Sequence, residues 1–285
     1  MESTDDLETG YGPAAPAGDN LCNDYAQGLA EAFRSLAEAR GDRVLQDEDL
    51  MLSDGGSASP FGNVAVLRRP VGSTARADVA SRMHDFYRRR PGGPFILFSA
   101  WPTGDLRGAD FGRIGHPPLM FRPPGPIDGI PIDGMPVGGS VGGSVGGLVH
   151  GLEIRPVTDA ETARDWEHTL VHGYPEPALQ PFEAGCFLPD TALSAPRWRH
   201  WVGYQGGAPV ATASAFVGDH HVDVEFVSTL DSARGAGVGR ALTATATLAD
   251  PALPAMLISS DLGRGVYQRL GYLPLLRFTL WAGRR

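Results

Sequence analysis

The 285-residue chain contains no lysine; all 24 of its basic residues are arginine. That absence removes one class of nucleotide site, because a P-loop needs G-x-x-x-x-G-K-[ST], with the lysine on the terminal phosphates. Cysteine is almost missing too. Cys22 and Cys186 stand far apart, so they form neither a zinc spacing nor a redox pair, and they fit a reducing compartment. No apolar run approaches the ~18 residues of a membrane span. The first residues, Met1 to Asp6, are acidic and lack the apolar core of an export signal. A cytoplasmic location away from membranes is therefore expected. Positive charge is in deficit, with a formal net charge of −9. Nucleic acid is a poor partner for such a surface, whereas a cationic small molecule would be drawn to it. The usage of Arg for Lys, with abundant Ala, Gly and Pro, is that of a GC-rich bacterial genome.

Glycine is plentiful and unevenly placed. Between 125 and 150, Pro-Ile-Asp-Gly units give way to Gly-Gly-Ser-Val repeats, a composition that builds no core and reads as a linker. It separates an N-terminal α/β domain, 20–124, from a second domain, 151–285. Residues 1–19, acidic and rich in Gly, Pro and Ala, are expected to be mobile.

In the first domain the apolar spacing predicts a helix over 21–40 behind Asn20, strands near 43–45, 50–52 and 64–67, a helix over 74–90 and a buried strand over 94–101. The Pro-rich stretch 102–124 reads as irregular. In the second domain, 152–157 alternates as a strand, and Thr158 or Asp159 caps a helix over 160–172. Gly206-Gly207 joins a hairpin of 198–204 and 210–217. Strands over 221–229, 255–259 and 273–281 follow, with helices after Gly237 and around Tyr267, and one loosely defined helix between 178 and 196.

The strand over 221–229 runs into Arg234-Gly235-Ala236-Gly237-Val238-Gly239-Arg240 and then an Ala/Leu-rich helix. The first N–H groups of a helix lack intrahelical partners and sit at the positive end of its dipole. Glycines there leave room for a phosphate to reach them, and Arg234 can add a charge-assisted contact. A dinucleotide fingerprint starting at Gly235 and Gly237 would need a glycine at position 240, which is Arg240. In the strand itself Val222, Val224 and Phe226 alternate with His221, Asp223 and Glu225, so the three polar groups share one face.

The spacing R-x-x-G-x-G is met by Arg234, Gly237 and Gly239, and Val266-Tyr267-Gln268-Arg269-Leu270-Gly271-Tyr272 follows a short apolar strand. Together they resemble the GNAT N-acetyltransferase superfamily over 152–285. The resemblance implies a mixed α/β (α+β) fold, a central mixed twisted sheet flanked by helices, with the first domain as a degenerate GNAT-like copy in tandem. It implies acetyl-CoA as co-substrate, no metal, and a small-molecule or peptide amine as acceptor, with a homodimer as one option. Residues 234–240 would hold the pyrophosphate. The backbone of Val227 and Thr229 would pair with pantetheine, and Val227 or its neighbour, at a β-bulge, would offer an N–H to the thioester oxygen. Glu225 is the first choice as base, through a water, with His221 and Asp223 as alternatives. Tyr267 would protonate the leaving thiolate. His172, Tyr174, Glu176 and Cys186 fall in the family's acceptor loop. Two other readings are a non-catalytic acyl-CoA-binding module and an acyltransferase using a larger acyl-CoA.

Overall fold

The computed structural model describes residues 21–72, 76–127, 149–174 and 176–285. The expected mobile segment 1–19 and most of the expected linker lie outside them. Both flanks of that linker are anchored, since Ile127 and Val149 are buried in one apolar cluster.

The chain begins with α1 (Leu21–Arg40), whose Tyr25, Leu29, Ala32, Phe33 and Leu36 recur at helical spacing and are buried. Then come β1 (Arg43–Gln46), β2 (Leu50–Asp54), β3 (Asn63–Leu67), α2 (Arg76–Tyr87), β4 (Phe95–Ser99), β5 (Phe111–Gly115) and β6 (Pro118–Arg122). The second half contains β7 (Leu152–Pro156), α3 (Ala160–Gly173), β8 (Trp198–Gln205), β9 (Ala208–Val217), β10 (Val222–Thr229), α4 (Val238–Thr247), β11 (Ala255–Ile258), α5 (Arg264–Arg269), β12 (Leu273–Arg277) and β13 (Thr279–Gly283). No described helix is long and apolar enough to cross a membrane.

Two mixed sheets result, ordered β1-β2-β3-β4-β13-β5 and β12-β6-β11-β10-β9-β8-β7. Each holds one parallel pair, β3 with β4 and β10 with β11, joined by a helical crossover. Beside each parallel pair lies a strand from the other half. β6 enters the second sheet between β11 and β12, and β13 enters the first between β4 and β5. The division at 125–150 is thus not a division between sheets. Arg285 completes the crossing, its guanidinium meeting the buried Asp54 carboxylate at 2.8 and 3.0 Å.

Three expectations change. The Pro-rich 102–124 is not irregular throughout, because it holds β5 and β6, whose partners are remote in sequence. The strand expected over 273–281 is two strands in different sheets. They break at Phe278, which is fully buried and donates its N–H to Pro117 O at 2.9 Å. Between 178 and 196 the chain forms 3-10 turns rather than an α-helix.

Candidate active site

β10 and β11 pair only at Val222–Ala255 and Asp223–Met256. Beyond that they part, and β11 pairs along its whole length with β6. On its other side β10 carries a bulge. Glu225 faces Ser214 and Ser228 faces Thr212, so Phe226 and Val227 together oppose Ala213. Phe226 takes φ 53°, a left-handed value that bulky residues rarely adopt. The Thr212 hydroxyl donates to its carbonyl at 2.9 Å. The bulge interrupts the period of two. Glu225 and Phe226 both face one cavity, while Val227 packs towards α4.

That cavity, about 360 Å³, occupies the opening between the parted strands. Glu225 and Phe226 form its β10 side, and Ile258, Ser259 and Asp261 its β11 side. The N-terminal half supplies Phe33, Phe61 and Phe98. Tyr174, 43% exposed, stands at the opening. Ser59 Oγ donates to Glu176 Oε2 at 2.9 Å, tying the two halves across the cavity. Burial raises the Glu176 carboxyl above its ordinary range.

The other polar groups of β10 are not in the cavity. His221 and Asp223 lie beneath α1, 3% and 0% exposed. The His221 ring is 5.6 Å from that of Tyr25. A Cβ at Gly28 would stand 2.4 Å from His221 Cε1, so glycine is what lets α1 seat on the imidazole. Tyr25 of α1 stands beside Asp223 and Glu225 of β10. The Tyr25 hydroxyl, both Asp223 oxygens and both His221 nitrogens make no hydrogen bond of ordinary geometry to one another or elsewhere. Burial lifts both carboxyls well above their usual range, and the Asp223 charge lifts Glu225 further. The nearby Tyr25 hydroxyl opposes both shifts by favouring the ionised forms. The two carboxyls titrate as a pair. Burial also brings the His221 imidazole down to about 4, so it is neutral at pH 7. Of the three candidates for the base, Glu225 alone lines the cavity.

The glycine loop lies just past the bulge. Gly235 and Gly237 take φ 78° and 84°, conformations open to glycine, and both are exposed. Gly237 is the N-cap of α4. A Cβ at Gly239 would lie 2.9 Å from Thr229 Oγ1. The first turn of α4 therefore presents its free N–H groups on an open lip, and the buried Nε of Arg240 has no hydrogen-bond partner there. These features fit an anionic phosphate group. Arg234 is arranged differently from the direct phosphate contact expected. Its guanidinium donates to Thr229 O and Gly173 O, each at 3.1 Å, and pairs with Asp231 at 2.6 Å. In this arrangement it ties the loop to β10 and to the end of α3.

Tyr267 lies on α5 and is 8% exposed. A Cβ at Gly263 would stand 2.8 Å from its ring, so that glycine seats the tyrosine. Burial raises its hydroxyl well above the ordinary range, and the charges of Tyr174, Tyr272 and Glu225 add to the rise. It packs at the edge of the core rather than lining the cavity.

The remaining acceptor-loop residues divide. Tyr174 and Glu176 line the cavity, whereas His172 stacks on His168 with ring centres 4.0 Å apart. Burial, with Glu167 beside it, pushes the Cys186 thiol up to about 12, which makes it a poor nucleophile. Glu167 itself holds the 185–188 turn by accepting from the N–H groups of Gly185, Phe187 and Leu188. Sequence reasoning missed Tyr25 and the three phenylalanines of the N-terminal half. No local motif marks them, since each reads as an ordinary core position.

Residues 161–272 match the model of the acetyltransferase (GNAT) family, whose chemistry is acyl transfer. The whole chain is similar in fold to a GCN5-related N-acetyltransferase from Kribbella flavida, at 20% identity and a TM-score of 0.62, over 92% of this chain and 95% of that one. It is also similar to a GCN5-related N-acetyltransferase from Sphaerobacter thermophilus, at 12% identity and a TM-score of 0.50, over 92% and 93%. No curated protein matches the chain. The parted strands, the bulge and the glycine loop fall within or beside the matched residues, and residues 161–272 are a GNAT acetyltransferase domain.

Proposed function

We propose that the protein is an N-acetyltransferase that takes its acyl group from acetyl-CoA and passes it to an amine by direct attack on the thioester. The observation that carries this reading is the placement of Glu225, alone of the three β10 candidates, in a largely apolar cavity on the strand that leads into a glycine-lipped helix N-terminus. Bound acetyl-CoA would supply an acyl group activated as a thioester. The N–H groups of Gly235, Ala236, Gly237, Val238, Gly239 and Arg240 would hold its pyrophosphate, and the backbone of Val227 and Thr229 its pantetheine arm. Glu225 accepts the proton of the incoming ammonium, directly or through a water. Its raised affinity for protons makes it a stronger base than an ordinary carboxylate. Tyr267, protonated throughout the working range, is a donor for the leaving thiolate. Tyr25 and Asp223 act behind Glu225 by setting when it ionises. The acidic, lysine-free composition supports a bacterial cytoplasmic setting, and the protein has no lysine of its own to acetylate.

The test is thiol release from acetyl-CoA with a panel of amines, followed across pH in two variants. Tyr267→Phe should lower kcat by about 10²-fold with little change in acetyl-CoA affinity. Glu225→Gln should lose most above the pH at which Glu225 ionises, where the wild type has its base, and the two rates should converge towards low pH, where Glu225 is protonated. If both keep wild-type rates at every pH, these two roles are wrong. If acetyl-CoA raises the melting temperature but no amine releases thiol, the protein is an acyl-CoA-binding module.

A further inference from the structure

Resting on that reading, we infer that the acceptor is a primary amine bearing one compact apolar body, preferably aromatic, and that the N-terminal half of the chain selects it. The apolar part of the cavity wall includes Phe33, Phe61, Phe98, Phe187, Phe226 and Leu280. Three of these come from the half that carries no glycine loop. Against these walls stand three carboxyl side chains, Glu176, Glu225 and Asp261. Among the described residues no arginine lines the cavity, although the chain has 24 basic residues, all arginine. A ligand there meets three carboxyl groups and aromatic faces, with the His116 imidazole as the one basic side chain among the described residues, and an ammonium would favour the ionised carboxyls.

The walls also say what is rejected. A sugar amine would bring several hydroxyls to a largely phenylalanine wall, more than Ser59, Tyr174, Ser259 and Ser260 at its polar edge can partner, and an unpartnered buried hydroxyl is costly. A peptide would bring a row of N–H and C=O groups with the same difficulty. An amino acid would bring a carboxylate into a cavity that already holds acidic groups. About 360 Å³ lies near the small end of small-molecule sites, enough for one ring and a short arm. The apolar space could instead take a long acyl chain. That occupant would bring no charge to balance Glu176 and Glu225, so the carboxyls favour the amine.

The experiment uses the full chain with saturating acetyl-CoA and four acceptors: 2-phenylethylamine, ethylamine, glucosamine and phenylalanine. The kcat/KM for 2-phenylethylamine should exceed that for ethylamine by about 100-fold, the scale on which an apolar pocket discriminates. Glucosamine and phenylalanine should fall at or below ethylamine. Binding has its own readout, since 2-phenylethylamine alone should raise the melting temperature and ethylamine should not. Phe61→Ala should narrow the 2-phenylethylamine to ethylamine ratio by about 10-fold. If that variant does not fold, Glu176→Gln should raise KM for 2-phenylethylamine while leaving KM for acetyl-CoA in place. Equal kcat/KM for the two simple amines, or a preference for glucosamine, overturns the inference while N-acyl transfer stands. So does a preference for octanoyl-CoA over acetyl-CoA with ethylamine, which would make the cavity an acyl pocket. No thiol release with any amine removes N-acyl transfer itself, and this inference with it.

Discussion

The crossovers β3–α2–β4 and β10–α4–β11 occupy equivalent places in the two sheets, each joining a parallel pair flanked by a strand from the other half. Their strands leave the sheet differently. β3 is in unbroken register with β2 over five pairs and is buried throughout. β10 is bulged at Phe226 and parts from β11 after two pairs. The loops differ as well. After β3 come Arg68 and Arg69, and their charges are already engaged. Arg69 meets Asp49 at 2.6 Å, and Arg82 of α2 meets the same carboxylate at 2.9 Å. After β10 come two exposed glycines with left-handed backbone and a bare helix N-terminus. One architecture thus serves two tasks. The second half is opened, in the way the proposed phosphate-bearing donor requires. The first keeps its sheet closed and lends side chains, Tyr25 beneath the strand and phenylalanines over the cavity.

That contrast can be broken at several points. The largest effect is expected at the exchanged strand. Trp281 of β13 is 3% exposed, packs in the core of the first half and donates to Thr103 Oγ1 at 3.0 Å. Trp281→Ala should cost about 3–5 kcal/mol in urea unfolding, as for other buried large-to-small changes. A loss near zero would show that the first sheet does not depend on its borrowed strand.

Making the second loop resemble the first comes next. At 100 to 1,000 times Kd, acetyl-CoA should stabilise the wild type by roughly 2–4 kcal/mol. Gly237→Val should abolish that shift, because its side chain would stand on the phosphate lip at φ 84°. A retained shift would move the donor site elsewhere.

Asp223→Asn probes the buried acidic group through its linkage to pH. Between about pH 4, the ordinary carboxylate range, and neutrality, an Asp223 of raised pKa keeps its proton when folded and loses it when unfolded. The folded state then binds more protons, so wild-type stability falls as pH rises. The slope is at most about 1.4 kcal/mol per pH unit for one proton. The Asn variant should lack that slope and gain on the wild type towards neutral pH. Parallel curves would mean that Asp223 is not held protonated.

Tyr25→Phe should preserve the packing against His221 and Phe278 while removing a hydroxyl that favours ionised Glu225. Its loss raises the pH at which Glu225 ionises. The acidic limb of kcat should move to higher pH, with a fall of about 10-fold below neutrality. An unmoved limb would reduce Tyr25 to packing. The smallest expectation is at the silent loop, where Arg69→Ala should leave acetyl-CoA affinity unchanged in the same melting assay. A weakened affinity would mean that the two halves share the donor.

Much of the second half was legible because its signals are local. Asp159 accepts from Thr162 N at 2.8 Å in a capping box. The glycine loop declares itself over a few residues, and so does the alternation of β10. The same alternation did not say what covers the polar face, because α1 lies some two hundred positions away and Gly28 looks unremarkable in a helix. β5 and β6 were hidden for a similar reason. Prolines punctuate their neighbourhood, and their partners lie near the other end of the chain. Arg234 illustrates a third limit. The sequence marks a cation beside a phosphate lip, but the carbonyls of Thr229 and Gly173 that engage it come into reach only through folding.

Strand exchange also orders events in time. A ribosome delivers Phe95–Ser99 and Phe111–Gly115 long before Thr279–Gly283, the strand that must come between them. Until then β4 and β5 have bare edges of the kind that invite pairing with other chains, and the closing contact is among the most distant in sequence. The later-made sheet faces no such wait for β6, which has already been synthesised when β11 appears. The first sheet therefore cannot close until the last of its strands has been synthesised, and its waiting edges are what a nascent-chain chaperone would have to guard.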